Sequence, residues 1–200
     1  MHVCEFTDRL DHRYSDEPVL PELAALPNST YASELFRMIK LAPNLELLAI
    51  CRRNILNLDS LAFPSSLRLQ SLFLGGISIS PHVLVSFVNQ SVDMIQYIDI
   101  RLVKLESGTW QQVLLEFCEL PHLFDIFVDE CGYSLTGSSS HLAFPELPGL
   151  QHRQHIETMD RLDLRGLGKL QAKVVSNRFA GGLKPFPKTY FQYIYWEDED

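Results

Sequence analysis

Nowhere in this chain of 200 residues is an apolar run long enough to cross a bilayer. The N-terminus, MHVCEFTDRLDHRYSDEP, also lacks the apolar stretch of a signal peptide. Neither membrane nor secretion is therefore expected, and the two Asn-x-Ser/Thr triplets, Asn28-Ser29-Thr30 and Asn89-Gln90-Ser91, carry no weight as glycosylation sites. Basic charge is scarce. Seventeen Lys and Arg stand against 25 Asp and Glu, for a formal charge of −8. Affinity for nucleic acid is built from clustered Lys and Arg, so no nucleic-acid partner is expected. The four cysteines, Cys4, Cys51, Cys118 and Cys131, read most simply as free thiols in a reducing compartment, cytoplasmic or nuclear.

Catalytic signatures are missing as well. There is no hydrolase elbow, phosphate loop or dinucleotide fingerprint. Gly75-Gly76 and Gly166-Leu167-Gly168-Lys169 lack the hydroxyl residue a phosphate loop requires and read as turns following a strand. Cys118 and His122 lie four apart with Cys131 nearby, and His141, His152 and His155 are available only in number. That is not the spacing of a zinc module, so neither metal nor cofactor is expected. His152 and His155 read as exposed residues of a polar loop. With no nucleophile–base pair in view, the expected role is not enzymatic.

What is present is a rhythm, and 46% hydrophobic residues are enough to bury a core around it. From Ile95, apolar residues fall at offsets +3, +5, +8, +10, +15, +18 and +19, the last three being Trp110, Val113 and Leu114. From Leu69 the same seven offsets hold Leu72, Leu74, Ile77, Ile79, Leu84, Phe87 and Val88. Leu45, Leu48, Ile50 and Ile55 repeat +0, +3, +5 and +10, with Arg53 departing at +8. Leu123, Ile126, Val128, Cys131 and Tyr133 repeat the first five beats. Met159, Leu162, Leu164 and Leu167 fit with Lys169 at the next core place, and the frame from Leu20 fits loosely, with Leu35, Met38 and Ile39 at its helical offsets.

This pattern resembles the leucine-rich repeat, L-x-x-L-x-L-x-x-(N/C)-x-L, with Asn28 and Cys131 at the ninth place. The expected fold is α/β, a leucine-rich repeat solenoid with short parallel strands on the concave face and helices or loops on the convex face. In each unit +3 and +5 point inward, +8 and +10 plug a corner, and +15, +18 and +19 return as a helix; stacking completes the core. Strands are expected near 46–51, 70–75, 96–101 and 124–129, with helices near 31–41, 81–90 and 108–118. Ser80-Pro81 and Ser107 suggest helix starts, as do Ser29 or Thr30, and Pro43-Asn44 a stop. Leu58 to Leu67, with proline and serines where a helix would be, reads as irregular or as a short tight turn. The solenoid is placed at 20–170, with an inserted loop at 134–158. A poorly determined extension at 1–19 precedes it, and 171–200 forms a C-terminal cap, with a further helix in QAKVVSNRF, a short strand in FQYIYW and an acidic tail.

Offsets +2, +4 and +6 then face away from the core. They bring Phe73, Tyr97, Asp99, Arg101, Asp125, Phe127, Asp129, Arg161 and Arg165 to the concave side as candidate partner-binding residues. The aromatics and arginines are of the kind enriched at interface centres. Arg101, Asp129 and Arg165 share one offset and would otherwise form a ladder of opposite charges between strands.

The stretches LAPNLELLAI, LQSLFLGGISIS and VKLESGTWQQVL look like the repeat half of fungal F-box proteins. In that family the F-box holds the ubiquitin-ligase adaptor and the repeats hold the substrate. The resemblance implies a substrate-receptor-like protein-interaction module. Leu20-Pro21-Glu22-Leu23 and Cys51-Arg52-Arg53 echo the ends of an F-box. Pro27-Asn28-Ser29-Thr30 interrupts its first helix, however, and the tryptophan expected after the second echo is absent. A Skp-type adaptor is expected only where an F-box is present. Two alternatives are an enzyme using 134–158 as an active-site loop, and a repeat-only scaffold without a ubiquitin link.

Overall fold

A computed structural model describes residues 2–7, 37–42, 44–59, 67–134, 156, 158 and 160–186, with 2–7 and 52–56 described by backbone alone. The architecture is α/β. Strands β1 (His2–Thr7), β2 (Leu45–Asn57), β3 (Ser71–Ile79), β4 (Tyr97–Leu105) and β5 (Asp125–Asp129) form a parallel sheet in chain order, and the short β6 (Gly132–Tyr133) also pairs with β4. Helix α1 (Pro81–Asn89) connects β3 to β4, α2 (Trp110–Phe117) connects β4 to β5, and α3 (Arg161–Ala180) follows β6. Among the described residues no helix is long and apolar enough to cross a membrane.

From the +2 to the +6 position, β2, β3, β4 and β5 share one register. Leu48, Leu72, Ile98 and Ile126 lie in one row and Ile50, Leu74, Ile100 and Val128 in the next, all at most 1% exposed. These are the +3 and +5 positions. A parallel sheet is usually covered on both faces. Here β3 and β5 open with alternately half-buried and buried residues, so among the described residues only one face is packed. The helices join that packed side: Leu84, Phe87 and Val88 from α1, and Trp110, Val113, Leu114 and Phe117 from α2, share a single core with the strand residues.

The gap of three between +5 and +8 has a backbone cause. Gly76 (φ 64°), Leu102 (φ 53°) and Glu130 (φ 50°) each sit seven residues after the start of their repeat in the left-handed region. A residue in that region turns the backbone and moves the alternation by one, and because β3 and β4 share it at the same place their register is unbroken. Ile77, Val103 and Cys131 at +8 therefore return to the core side and are fully buried. Pairing then resumes, Ile77 with Val103 and Leu105 with Tyr133. In β3 and β4 the corner expected after +5 is thus a kink within a continuing strand.

Several expectations are corrected. In the Leu45 unit, Cys51 pairs with Gly75 but Leu56 with Ile77, so β2 holds three more residues than β3 at the kink. Leu56, not Arg53, takes the +8 register, and the buried Leu58, not Ile55, follows at +10, donating its N–H to the Ser78 carbonyl at 3.0 Å. Thr109, not Ser107, caps α2 by accepting from the Gln112 N–H at 3.2 Å. Ser80 precedes Pro81 as expected, but its hydroxyl donates to Asp59 instead of capping α1. Residues 37–40 are helical with Ile39 buried, whereas Met38, assigned to the core side, is 43% exposed. Within the extension at 1–19, His2–Thr7 is a strand, pairing Cys4 with Leu48 and Phe6 with Ile50.

The unit expected at Met159 is not a strand. Asp160 caps α3 by accepting from the Leu162 N–H at 2.8 Å, and the helix continues through the expected boundary at 170/171. Its buried residues, Asp163, Gly166, Leu167, Leu170, Gln171, Val174 and Asn177, recur at helical spacing, while Leu162 is 46% exposed. Gly166 and Gly168 are therefore helical. A Cβ on Gly166 would come within 3.2 Å of the Gln111 Cα, so this glycine permits close packing on α2. The helix expected in QAKVVSNRF is the second half of α3. The loose unit from Leu20, the caps at Ser29 or Thr30, residues 60–66, most of 134–158 and the terminal strand and tail lie outside the described residues. Within the inserted segment, Ile156 pairs in parallel with Cys131 and is buried.

Polar groups secure α3. The fully buried Asp163 carboxylate accepts from the Gln111 N–H at 2.7 Å in the first turn of α2, from the Thr158 hydroxyl at 2.9 Å and from the Tyr133 hydroxyl at 2.5 Å. Asn177 donates to the Leu120 and Leu123 carbonyls at 2.9 and 3.1 Å. Arg178 donates to the Phe124 carbonyl at 3.1 Å and stacks over Phe186.

Candidate functional site

The common register sets three further rows on the sheet face away from the helices. Leu47, Ser71, Tyr97 and Asp125 form the first, and Ala49, Phe73, Asp99 and Phe127 the second. Cys51, Gly75, Arg101 and Asp129 form the third. Seven of the nine candidate residues are thereby brought onto one face. Arg161 and Arg165 are not among them: both are exposed on α3. Their assignment to a strand is corrected, because the apolar spacing that suggested one belongs to a helix.

The seven make a specific cluster. Phe73 and Tyr97 lie with ring centroids 5.0 Å apart at a 36° tilt. Arg101 folds back along its own strand, with Nε donating to Asp99 Oδ1 and Nη2 to Oδ2, both at 2.8 Å. Such a two-point pair matches a planar guanidinium to a planar carboxylate. The guanidinium carbon then sits 4.3 Å from the Phe127 ring centroid. Hydrogen bonding to Asp99 holds the Arg101 pKa above its ordinary value, with smaller contributions from Tyr97 and Asp129.

This replaces the expected ladder. Asp129 lies beside Arg101 and attracts it at longer range, but the two-point bond goes to Asp99, two residues along the same face, and Arg165 is on α3. The Asp99 side chain, directed away from the core as expected, is only 7% exposed because Arg101 roofs it, whereas that of Arg101 remains 55% exposed. Beside the guanidinium, Gly75 contributes no side chain, and a Cβ there would meet Cys51 Sγ at 3.3 Å. The outcome is an aromatic platform around one fixed guanidinium.

Other groups are better explained by structure. Burial pushes the Cys131 thiol up to about 12, so it is not a ready nucleophile. Burial also raises Cys118, at the C-cap of α2. Tyr133 is held above the usual phenol range by burial and by its bond to Asp163. Among the described residues no group of three or more His, Cys, Asp or Glu gathers as a metal site would. A shallow, polar-rimmed groove runs between α1 and α2 beside His82, Asn89, Gln112 and Glu116. Sequence reasoning missed the Arg101–Asp99 pair, although Asp-x-Arg within a strand is its signal, since residues two apart share a face.

No protein-family model matches the chain, and neither a curated protein nor a solved structure matches it.

Proposed function

We propose that the chain is a leucine-rich-repeat-type solenoid whose open sheet face binds another protein, without catalysis, in the cytoplasm or nucleus. One observation carries this reading: Phe73, Tyr97, Arg101 and Phe127 gather on the face opposite the core that receives α1, α2 and α3. Aromatic rings beside a preorganised guanidinium have the composition of an interface centre, where a few residues supply most of the binding energy. The likeness of the central units to the repeat half of fungal F-box proteins adds a setting, the recognition of a ubiquitin-ligase substrate. Contact with a Skp-type adaptor would need an F-box and forms no part of this surface.

The test compares the chain with Tyr97→Ala/Phe127→Ala in affinity capture, identification of the captured protein and titration against it. The double variant should lose the partner while its unfolding curve stays close to that of the parent. Full retention of binding by the folded variant would remove this face as the site.

A further inference from the structure

Helix α3 carries a row of cations that the fold does not use. Arg161, Arg165, Lys169 and Lys173 recur every four residues outside the buried stripe, and all four are exposed. Among the described residues none of them makes an ion pair or a side-chain hydrogen bond. Like charges four apart on a helix repel, and Arg161 stands at the end where the helix dipole disfavours a cation. The row therefore works against the helix, and packing supplies no reason for it. Gly168, exposed on the same side, is not demanded by packing either, since an added Cβ would meet nothing within 4 Å. Neighbouring charge does not cancel the row. No acidic residue occurs between Leu164 and Phe186. Asp160 caps the helix, Asp163 is buried among its donors, and Glu116 lines the groove toward α1. Asp125 and Asp129 of β5 belong to the open sheet face. Glu119 lies nearest, bearing on Cys118 together with Lys169 and Lys173, yet it pairs with neither. Arg178 and Lys184 add positive charge beyond the row.

We infer that this row is a second docking surface, separate from the open sheet face, and that its occupant is a short acidic segment of another protein with carboxylates at alternate positions. Complementary charge selects such a partner. Four residues of helix advance about 6 Å, so the row runs about 18 Å from Arg161 to Lys173. Alternate residues of an extended chain lie about 6.6 Å apart on one side, so four carboxylates match the row within about seven residues. Each step of four also turns about 40° around the helix, and the cations wind through about 120° over the row. A narrow, bendable chain follows that path, whereas a flat lipid surface meets only part of it. A long polyanion such as nucleic acid would run past the row onto a chain of formal charge −8.

The probe is a labelled synthetic peptide with Glu and Ser alternating, titrated against the full chain by fluorescence anisotropy. Its Gln–Ser counterpart, a single-stranded oligonucleotide and phosphatidylserine vesicles are run beside it. The Glu peptide should bind, less tightly as salt screens the attraction, and the Gln peptide should not. Arg165→Gln/Lys169→Gln should weaken the Glu peptide about tenfold, the loss of two surface ion pairs. The same variant should unfold at an unchanged or higher midpoint, because a repelling pair has been removed. Tyr97→Ala/Phe127→Ala should leave this binding as it was, which separates its failure from that of the open face. A Glu peptide that does not bind, or binds the Gln variant equally well, would overturn the inference. So would tighter binding of the oligonucleotide or the vesicles through the same cations. A lowered midpoint would show that the row serves the fold. Peptide binding that appears only after Glu197→Gln/Asp198→Asn/Glu199→Gln/Asp200→Asn would give the row to the chain's own acidic end and overturn an external occupant.

Discussion

The unit that begins at Leu69 and the C-terminal helix α3 both present a buried inner side, but different forces hold them. The Leu69 unit packs Leu72, Leu74, Ile77, Ile79, Leu84, Phe87 and Val88 into the core, all at most 1% exposed. Helix α3 mixes Leu167, Leu170 and Val174 with Asp163, Gln171 and Asn177, and its carboxylate and amide reach α2, β6, Thr158 and the turn between α2 and β5. Hydrophobic burial is non-directional and tolerates a relaxed partner. A buried carboxylate requires each of its donors in place, because an unmet one carries the full desolvation cost. The centre should therefore fail as a unit with its neighbours, and the end should fail locally.

The largest effect is expected at the centre. Leu72→Ala should cost about 2–5 kcal/mol in denaturant unfolding, with hydrogen exchange accelerated in β2 and β4 as well as β3. A loss confined to β3 would break the idea that the units support one another. Asp163→Ala should come next, at about 1–3 kcal/mol for the stranded donors, with exchange loosened in α3 and the first turn of α2. Equal loosening across β3 and β4 would erase the contrast between the regions. Gly76→Ala forces a side chain into the left-handed region and should cost about 1–2 kcal/mol.

A smaller effect is set by pH. The Cys131 thiol, raised from 9.0 to about 12, stays protonated in the folded chain where the unfolded chain has begun to ionise. The folded state then holds the extra proton, so stability is lost as pH rises between those values. Tyr133, also raised, acts in the same direction above its ordinary value of 10.0. Unfolding midpoints should fall across this range, and Cys131→Ala should flatten part of the fall.

The same contrast explains what was legible. In the central units every core position is apolar, so spacing alone located β3, β4, α1 and α2 and set seven of the candidate residues in their rows. Apolar spacing does not record a left-handed backbone at Leu102 and Glu130, where side chains give no hint. Nor does it record three extra residues in β2, which moved Leu58 into the place assigned to Ile55. At α3 the beat L-x-x-L-x-L overlaps a helical one over a short window. Only the continuation through Leu167, Leu170 and Val174, behind an Asp160 cap, separates them. Phe6 and Cys4 also fell at strand offsets, but one short polar unit carries too little signal to be read alone.

If the open face binds as proposed, adjacent residues of β4 have opposite duties, and variants of Tyr97 and Ile98 separate them. Ile98 is fully buried in the core, while Tyr97 lies half-buried on the open face against Phe73. Ile98→Ala should lose about 2–5 kcal/mol of unfolding free energy. Tyr97→Ala should lose about 1 kcal/mol or less, as a partly exposed residue outside the core does, and should weaken partner binding in the same preparation. Equal stability losses from the two variants would show that the register is wrong, and a Tyr97→Ala chain that binds as the parent does would remove the open face as the binding site.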